Sequence, residues 1–506
     1  MASTQLQQYV LLPPRGLRAE KRTIAPEAAD FLRSADEAAG GATMSIGDGI
    51  GDGIGGRDVG LRVVDSLGPD GAKLVELSPD DALAVRALQP GLRLVPVVYY
   101  TLAVLVPEEV RQDGRASRAR ATAGNTITLQ VVSKSGGTPV PNAFVVAFVD
   151  YAAQQGAQGI TDANGNVDLD LGSSSVKLDR LYVYPIDTHW SLEKKKLTVK
   201  SGDKVTVVPL DLSYTDGLRH FYGNADAAVG QGVTVGVVDT GIAQHPDLVV
   251  AGGVNTVSGE DPKDFGDNGK GHGTHVAGII AARGTPPAGL RGVAPGATLR
   301  SYRAYGQGQS SASNFAIAKA IDRAIADKCD LINLSVGGPA PDPVLKAAVE
   351  SARQGGSVCI VAAGNGDRAA VSYPAAEEAA IAVSGMGRKG TFPTSAAAND
   401  EVAKPYGTDK KDFVAEFSDV GPEIDLTAPG VGIMSTFPGG YAEISGTSMA
   451  CPAAVGAAAR AIAGTPVVKM KRDAARSDAI VKALLATAKP LGFGPAFEGH
   501  GLAQPT

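Results

Sequence analysis

From about residue 214 onward the chain repeats one arrangement. A short run of wholly apolar residues is followed by a polar or glycine-rich break and then by an alanine-rich helical stretch. Residues 233–238, 331–334, 357–362 and 380–383 are such runs. A strand that is apolar on both faces must be covered on both faces. The runs therefore belong in a mostly parallel sheet with helices on either side, an α/β architecture. They end in Asp239-Thr240-Gly241, Ser335-Val336-Gly337-Gly338 and Gly364-Asn365-Gly366. In open sheets of this kind the chemistry sits at the carboxyl ends of the strands.

Three reactive candidates follow. Ser448 stands in Gly446-Thr447-Ser448-Met449-Ala450-Cys451-Pro452, ahead of an alanine-rich helix over 453–463. Proline is tolerated in the first turn of a helix, so the helix is expected to begin close to the serine. Amides at such an N-terminus can bind a developing oxyanion. A serine hydroxyl still needs a base to take its proton. His272, in Gly271-His272-Gly273-Thr274-His275, opens a predicted helix over 276–282. The helix N-terminus disfavours the imidazolium and keeps that base neutral until it is needed. Asp239, ending an apolar strand, suits the buried carboxylate that orients the imidazole.

Taken singly, each residue has a plainer reading. Ser448 could be a helix cap. His272 and His275 could bind a metal, but no HExxH or cysteine cluster accompanies them. Asp239-Thr240-Gly241 is also the triplet of aspartic proteases, which need a second one; this chain has none. The combination is far more specific than its parts.

The segments VTVGVVDTGIAQHPDL, GHGTHVAGIIAA, INLSVGG, VAAGN, FSDVGPEIDLTAPG and SGTSMACPAA resemble the subtilisin-like serine protease (subtilase) family in order and spacing. The resemblance runs from about Phe221 to the end. It implies a serine endopeptidase in which Asp239 orients the base His272 and Ser448 is the nucleophile. It makes Asn365 the side-chain donor to the oxyanion, together with the Ser448 amide. Ser335, Val336 and Gly337 would pair with an extended substrate, and Ala363 and Gly364 would border the primary specificity pocket. Small residues there suggest a roomy apolar pocket and a large hydrophobic P1 residue, the residue before the cut. No cofactor is required. Structural calcium is left open: Asp247 matches one usual ligand, but Arg283-Gly284-Thr285-Pro286-Pro287 replaces the family's partner loop.

Residues 1–107 read as a small α+β unit. Strands are expected at 8–12, 61–67, 73–77 and 92–99, with helices over 25–38 and from Pro79, capped by Ser78. The order βαββαβ is ferredoxin-like. Its position resembles the inhibitory propeptide of subtilases, which would make this prodomain the enzyme's own inhibitor. Its tail, Val97-Val98-Tyr99-Tyr100 or a few residues later, would lie in the cleft, with self-cleavage between Tyr99 and Arg120. The GDGIGDGIGGRD segment, 47–58, reads as a solvated loop. Residues 108–120 read as an exposed linker. Residues 121–213 carry short alternating strands and the hairpin turn Asp162-Ala163-Asn164-Gly165, as in a small antiparallel β-sandwich. Residues 214–506 form the catalytic domain. The expected partners are protein or peptide substrates. Two alternatives stay open: a dedicated processing peptidase for one peptide partner, and a latent protein that acts as a binding module.

A net charge of −6 from 47 basic and 53 acidic residues gives no reason to expect nucleic acid or an anionic membrane as partner. The longest apolar stretch, 95–107, contains Pro96 and is too short to span a bilayer. The first twenty residues do not read as a secretory signal. The expectation is a cytoplasmic protein, or one exported without an N-terminal signal peptide. Cys329, Cys359 and Cys451 all fall in segments read as buried, so a disulfide framework is not expected.

Overall fold

A computed structural model of the chain describes residues 6–19, 24–37, 42–46, 57–105, 107–111, 126–338 and 340–504. The apolar runs come together in one large mixed sheet. Its strands lie in the order Val250–Asn255, Thr298–Arg303, Thr234–Asp239, Leu331–Leu334, Val358–Ala362, Ile381–Arg388, Ile424–Pro429, Leu502–Ala503, Ala488–Lys489. The first seven pair in parallel throughout. Antiparallel pairs enter at Ala488–Lys489 and at Asp412–Ala415 with Val402–Tyr406. The chain leaves Thr234–Asp239 toward one edge and returns to Leu331–Leu334 on its other side. Asp239 therefore ends the strand at which the connection reverses, where such sheets open a crevice.

Helices cover both faces, as doubly apolar strands require. His272–Ala281 and Thr447–Ile462 share one core with Val235, Val237, Ile360 and Val383. Asn314–Ala326 and Pro343–Gln354 share the opposite core with Val238, Ile332 and Val361. One expectation needs correcting. Pro452 lies inside the helix Thr447–Ile462, past its first turn, so its missing N–H leaves the Ser448 carbonyl without the usual helical donor. The Ser335 hydroxyl supplies that bond, donating to the Ser448 carbonyl at 2.9 Å. The break in the helix is thereby converted into a tie between the serine and the Leu331–Leu334 strand end.

The N-terminal unit is a five-stranded sheet, ordered Ala42–Ile46, Arg57–Ser66, Lys73–Leu77, Gln7–Leu12, Arg93–Pro96, with helices Pro26–Glu37 and Pro79–Leu88. Ala42–Ile46 is a strand beyond the expected βαββαβ order. The loop read at 47–58 lies largely outside the described residues. Side chains alternate across the first strand. Tyr9 and Leu11 meet the unit's own helices through Phe31, Leu32 and Val85. Val10 and Leu12 face the other way and join the core around the helices Asn314–Ala326 and Pro343–Gln354. Ion pairs Arg18–Asp322 at 2.6 Å and Lys319–Asp65 at 2.7 Å flank this contact.

Residues 126–207 form two packed sheets, Asn166–Asp170, Thr126–Ser133, Lys204–Val207 and Leu192–Lys200, Ser175–Tyr184, Phe144–Asp150, Gln155–Ile160. All pairs are antiparallel except Lys204–Val207 with Thr126–Ser133. Leu192–Lys200 had no counterpart in the sequence reading. Most of the proposed linker lies outside the described residues, but its start runs along this unit: the Val110 amide donates to Gln158 Oε1 at 2.8 Å. The unit docks on the large mixed sheet's unit through Trp190, buried with Phe392, Phe413, Phe417 and Met434. Tyr182 and Lys195 both bond Asp400, at 2.6 and 2.7 Å.

Trp190 is the only tryptophan in the chain and is 2% exposed. Trp190→Ala is expected to cost about 3–5 kcal/mol and to loosen the sandwich from the unit it docks on. Urea unfolding and limited proteolysis check this; an unchanged midpoint and cleavage pattern would refute it.

Candidate active site

The geometry is set by strand and helix ends. Asp239 is fully buried. Its Oδ1 accepts the Thr240 amide at 2.7 Å and the His272 Nδ1–H at 2.8 Å. This leaves His272 Nε2 as the basic nitrogen. That atom is buried, as is Asp239 Oδ2, and neither has a partner among the described residues. Glycine follows His272 because a Cβ on Gly273 would stand 2.3 Å from the Gly241 carbonyl oxygen. Nearby, Asp267 receives the Gly271 and Gly269 amides and holds the histidine loop. Burial raises the Asp267 carboxyl above its ordinary value.

Ser448 is the second residue of its helix and is fully buried. Its hydroxyl donates to the Ser335 carbonyl at 3.1 Å and makes no bond to His272. A turn of the serine side chain is therefore needed before His272 can take its proton. Asn365 is fixed through its carbonyl oxygen, which accepts the Thr447 amide at 3.0 Å and the Thr447 hydroxyl at 2.8 Å. Its Nδ2 is left as a buried donor without a partner. Buried polar groups are normally satisfied. Here the unsatisfied atoms of Asp239, His272 and Asn365 belong to one site.

A segment of this chain lies in the cleft. Tyr99–Leu102 is a strand between Ser311–Ser313 and Val336–Gly337, antiparallel to both. The Ala103 amide donates to the Ser335 carbonyl at 3.2 Å, and the Ala103 carbonyl accepts the Ser448 amide at 2.9 Å. Gly446 lies beside both that carbonyl and Asn365 Nδ2: a Cβ on it would stand 2.7 Å from the Ala103 oxygen and 3.2 Å from the nitrogen. Only glycine admits the approach, and its φ of 151° also favours glycine. The next amide but one, Leu105 N–H, donates to the Ser445 carbonyl at 2.9 Å. A peptide thus passes unbroken over the serine with the Ala103 carbonyl at the amide that would stabilise an oxyanion.

Beside Ala103 lies a cavity of about 660 Å³, bordered by Gly337, Gly364, Asn365, Ser372 and Asp419. Its lining is mixed, with Leu102, Val371 and Ala376 beside these polar groups. The Ser372 hydroxyl is buried and unpartnered. Asp419 stands directly behind Gly364, and its Oδ1 accepts the Gly366 amide at 2.7 Å. Burial pushes the Asp419 carboxyl up to about 6.

Ala363 lies at the end of its strand, its amide on the Val383 carbonyl and its own carbonyl accepting the Ser372 amide. Sequence reasoning missed Ser311–Ser313, which acts through its backbone and so carries no signature in side-chain type. It also missed Thr447, Ser372 and Asp419. Thr447 adjoins the serine and was legible as a candidate; the other two reach the cleft only through tertiary folding.

At Asp247 the surroundings do not fit calcium. Oδ2 accepts the Leu290 amide at 2.8 Å and the Tyr441 hydroxyl at 2.9 Å. Gly284 and Gly289 close over the carboxylate. These are donors, whereas calcium takes six to eight oxygen ligands. No group of three or more His, Cys, Asp or Glu gathers for a metal among the described residues. The His275 Nε2–H donates to the Ile433 and Ala442 carbonyls at 3.1 and 3.2 Å. The three cysteines are buried and free. No helix among the described residues is long and apolar enough to cross a membrane.

Comparison with known proteins bears on the same part of the chain. Residues 230–501 match the model described as the subtilase family. Subtilisin Savinase from Lederbergia lenta is 38% identical over 264 residues, covering 52% of this chain and 86% of that protein. An alkaline protease from Alkalihalobacillus alcalophilus is 38% identical over 264 residues, covering 52% of this chain and 60% of that protein. Subtilisin NAT from Bacillus subtilis subsp. natto is 40% identical over 247 residues, covering 47% of this chain and 57% of that protein.

Burial, reinforced by His272, pushes the His275 imidazole down to about 3, while an unfolded histidine charges below about 6.5. The folded state binds fewer protons in between. The stability this residue contributes is therefore present above pH ~6.5 and is lost as the pH falls toward 3. Unfolding experiments should show this group alone removing up to about 1.4 kcal/mol per pH unit in that window. His275→Asn should flatten that slope; an equally steep fall in the variant would refute the assignment.

Proposed function

The chain belongs to the subtilase family and is a subtilisin-like serine protease, and from that premise we propose that Asp239, His272 and Ser448 are its catalytic triad, made in a self-inhibited and self-processing precursor. The observation that carries this is the Ala103 carbonyl on the Ser448 amide at 2.9 Å, beside the Asp239–His272 bond of 2.8 Å.

The hydroxyl of Ser448 turns from Ser335 toward His272 Nε2 and gives up its proton as Oγ attacks the carbonyl carbon. A C–O bond forms, and the carbonyl electrons move to the oxygen. The Ser448 amide and Asn365 Nδ2 stabilise that oxyanion. Asp239 holds the Nδ1–H and stabilises the imidazolium. When the C–N bond breaks, His272 passes its proton to the leaving amine, and an acyl-enzyme remains. Water then repeats the cycle, with His272 as base, and frees the carboxylate product. Ser335, Val336 and Gly337 hold the substrate strand on one side; Ala363 and Gly364 border the P1 pocket.

In this reading the propeptide body ends at Leu102, Ala103 is its P1 residue, and self-cleavage falls between Ala103 and Val104. Ser372 and Asp419 add hydrogen-bonding groups to an otherwise largely apolar P1 pocket. We further propose that the Asp247 loop is held by its own N–H and O–H donors and needs no calcium.

Mass spectrometry of the purified chain should find a cut at Ala103–Val104 that Ser448→Ala abolishes. A cut that persists in the variant, or a wild-type chain that stays intact and resists a fluorophosphonate probe, would overturn the reading. Asn365→Ala should lower kcat by roughly 10²–10³, the range established for the side-chain oxyanion donor of subtilisin itself, with KM little changed.

A further inference from the structure

The strand in the cleft carries two neighbouring tyrosines that are treated very differently. Tyr99 is 62% exposed, whereas Tyr100 is 2% exposed. Tyr100 lies three residues before Ala103, at P4. Its ring lies against Gly338, where a Cβ would stand 2.5 Å from the ring Cε1, so glycine is needed to seat an aromatic ring there. Asp342 meets the far end of the ring, and its Oδ2 accepts the Tyr100 hydroxyl at 3.2 Å.

Asp342 is itself 5% exposed. Its two oxygens have separate tasks. Oδ1 accepts the Val344 amide at 2.8 Å and caps the helix Pro343–Gln354. Oδ2 has the phenol of Tyr100 as its partner, and no cation pairs with Asp342 among the described residues. The flanking Ala340, Pro341 and Pro343 offer no side-chain donor. Burial and the charge of Asp342 raise the Tyr100 phenol, so it remains a donor. A ring without the hydroxyl fills the same space and leaves a buried carboxylate oxygen facing apolar neighbours, an arrangement that costs more than the bond itself is worth.

We propose that Asp342 is a specificity-determining residue that selects peptide substrates with tyrosine, rather than phenylalanine, at P4. The proposal rests on the peptidase reading above and names the substrate class for that site. The propeptide tail Tyr100-Thr101-Leu102-Ala103 satisfies the selection.

Two measurements test it. Self-processed enzyme is given peptides spanning residues 97–108, identical except for Tyr or Phe at position 100. The wild type should favour Tyr by about tenfold in kcat/KM, the low end for a bond to a charged acceptor. Asp342→Ser keeps a capping hydroxyl but removes the second oxygen, and should bring the ratio near one. A wild-type ratio near one, or an unchanged tenfold ratio in the variant, overturns the proposal. The second measurement needs no catalysis: in full-length Ser448→Ala, adding Tyr100→Phe should speed amide exchange over 99–105 by about tenfold, and an unchanged rate would sink the contact. If no peptide and no propeptide is cut, the peptidase reading fails while the exchange result still decides the role of Asp342.

Discussion

A fully buried carboxylate is the interaction on which the rest of the site depends. Asp239 sits away from water, and among the described residues its carboxylate makes two bonds, to the Thr240 amide and His272. Breaking a buried pair by removing one partner is strongly destabilising. The fold must therefore hold both residues with little play. Asp239 is fixed by parallel pairing on both sides of its strand, and His272 by a helix start whose loop hangs on Asp267. The remaining parts are oriented from that pair.

A second tie runs through Ser335. Its hydroxyl replaces the helix bond that Pro452 cannot make, and its carbonyl receives both the Ser448 hydroxyl and the Ala103 amide. One residue thus joins the serine's helix, the central sheet and the peptide in the cleft. The same peptide leads back to the N-terminal sheet, packed on the helices Asn314–Ala326 and Pro343–Gln354. Forward it leads to the sandwich, where the Glu108 and Val110 amides meet Tyr184 and Gln158. The cleft is the crossing point of all three units.

Much of this was legible beforehand for a physical reason. Strands buried on both faces are apolar throughout, so the runs at 233–238 and 331–334 could be read directly, and each fell within a residue or two of the strand that forms. The N-terminal strand at Gln7–Leu12 was legible in position, but its alternation did not show which face would meet a second domain. Ala42–Ile46 and Leu192–Lys200 were missed. The second is rich in lysine and half solvated, and its hydrophobic signal is correspondingly weak. Pro452 was misjudged because the group that takes over its missing bond, the Ser335 hydroxyl, lies 113 positions from Ser448 in the sequence.

What the sequence determined alone was the chemistry available: a serine beside helix amides, a histidine at a helix start and an aspartate at a strand end, in an order and spacing shared with one family. Those are local properties, written in residue type and in the period of burial. Tertiary structure decided which peptide occupies the cleft and which carbonyl lies on the Ser448 amide. It also decided that a hydroxyl and a carboxylate from Ser372 and Asp419 line the pocket, and that Asp342 meets a phenol 242 positions away. These are meetings between segments far apart in the chain, and no local pattern encodes them because each partner has its own local reason to be where it is.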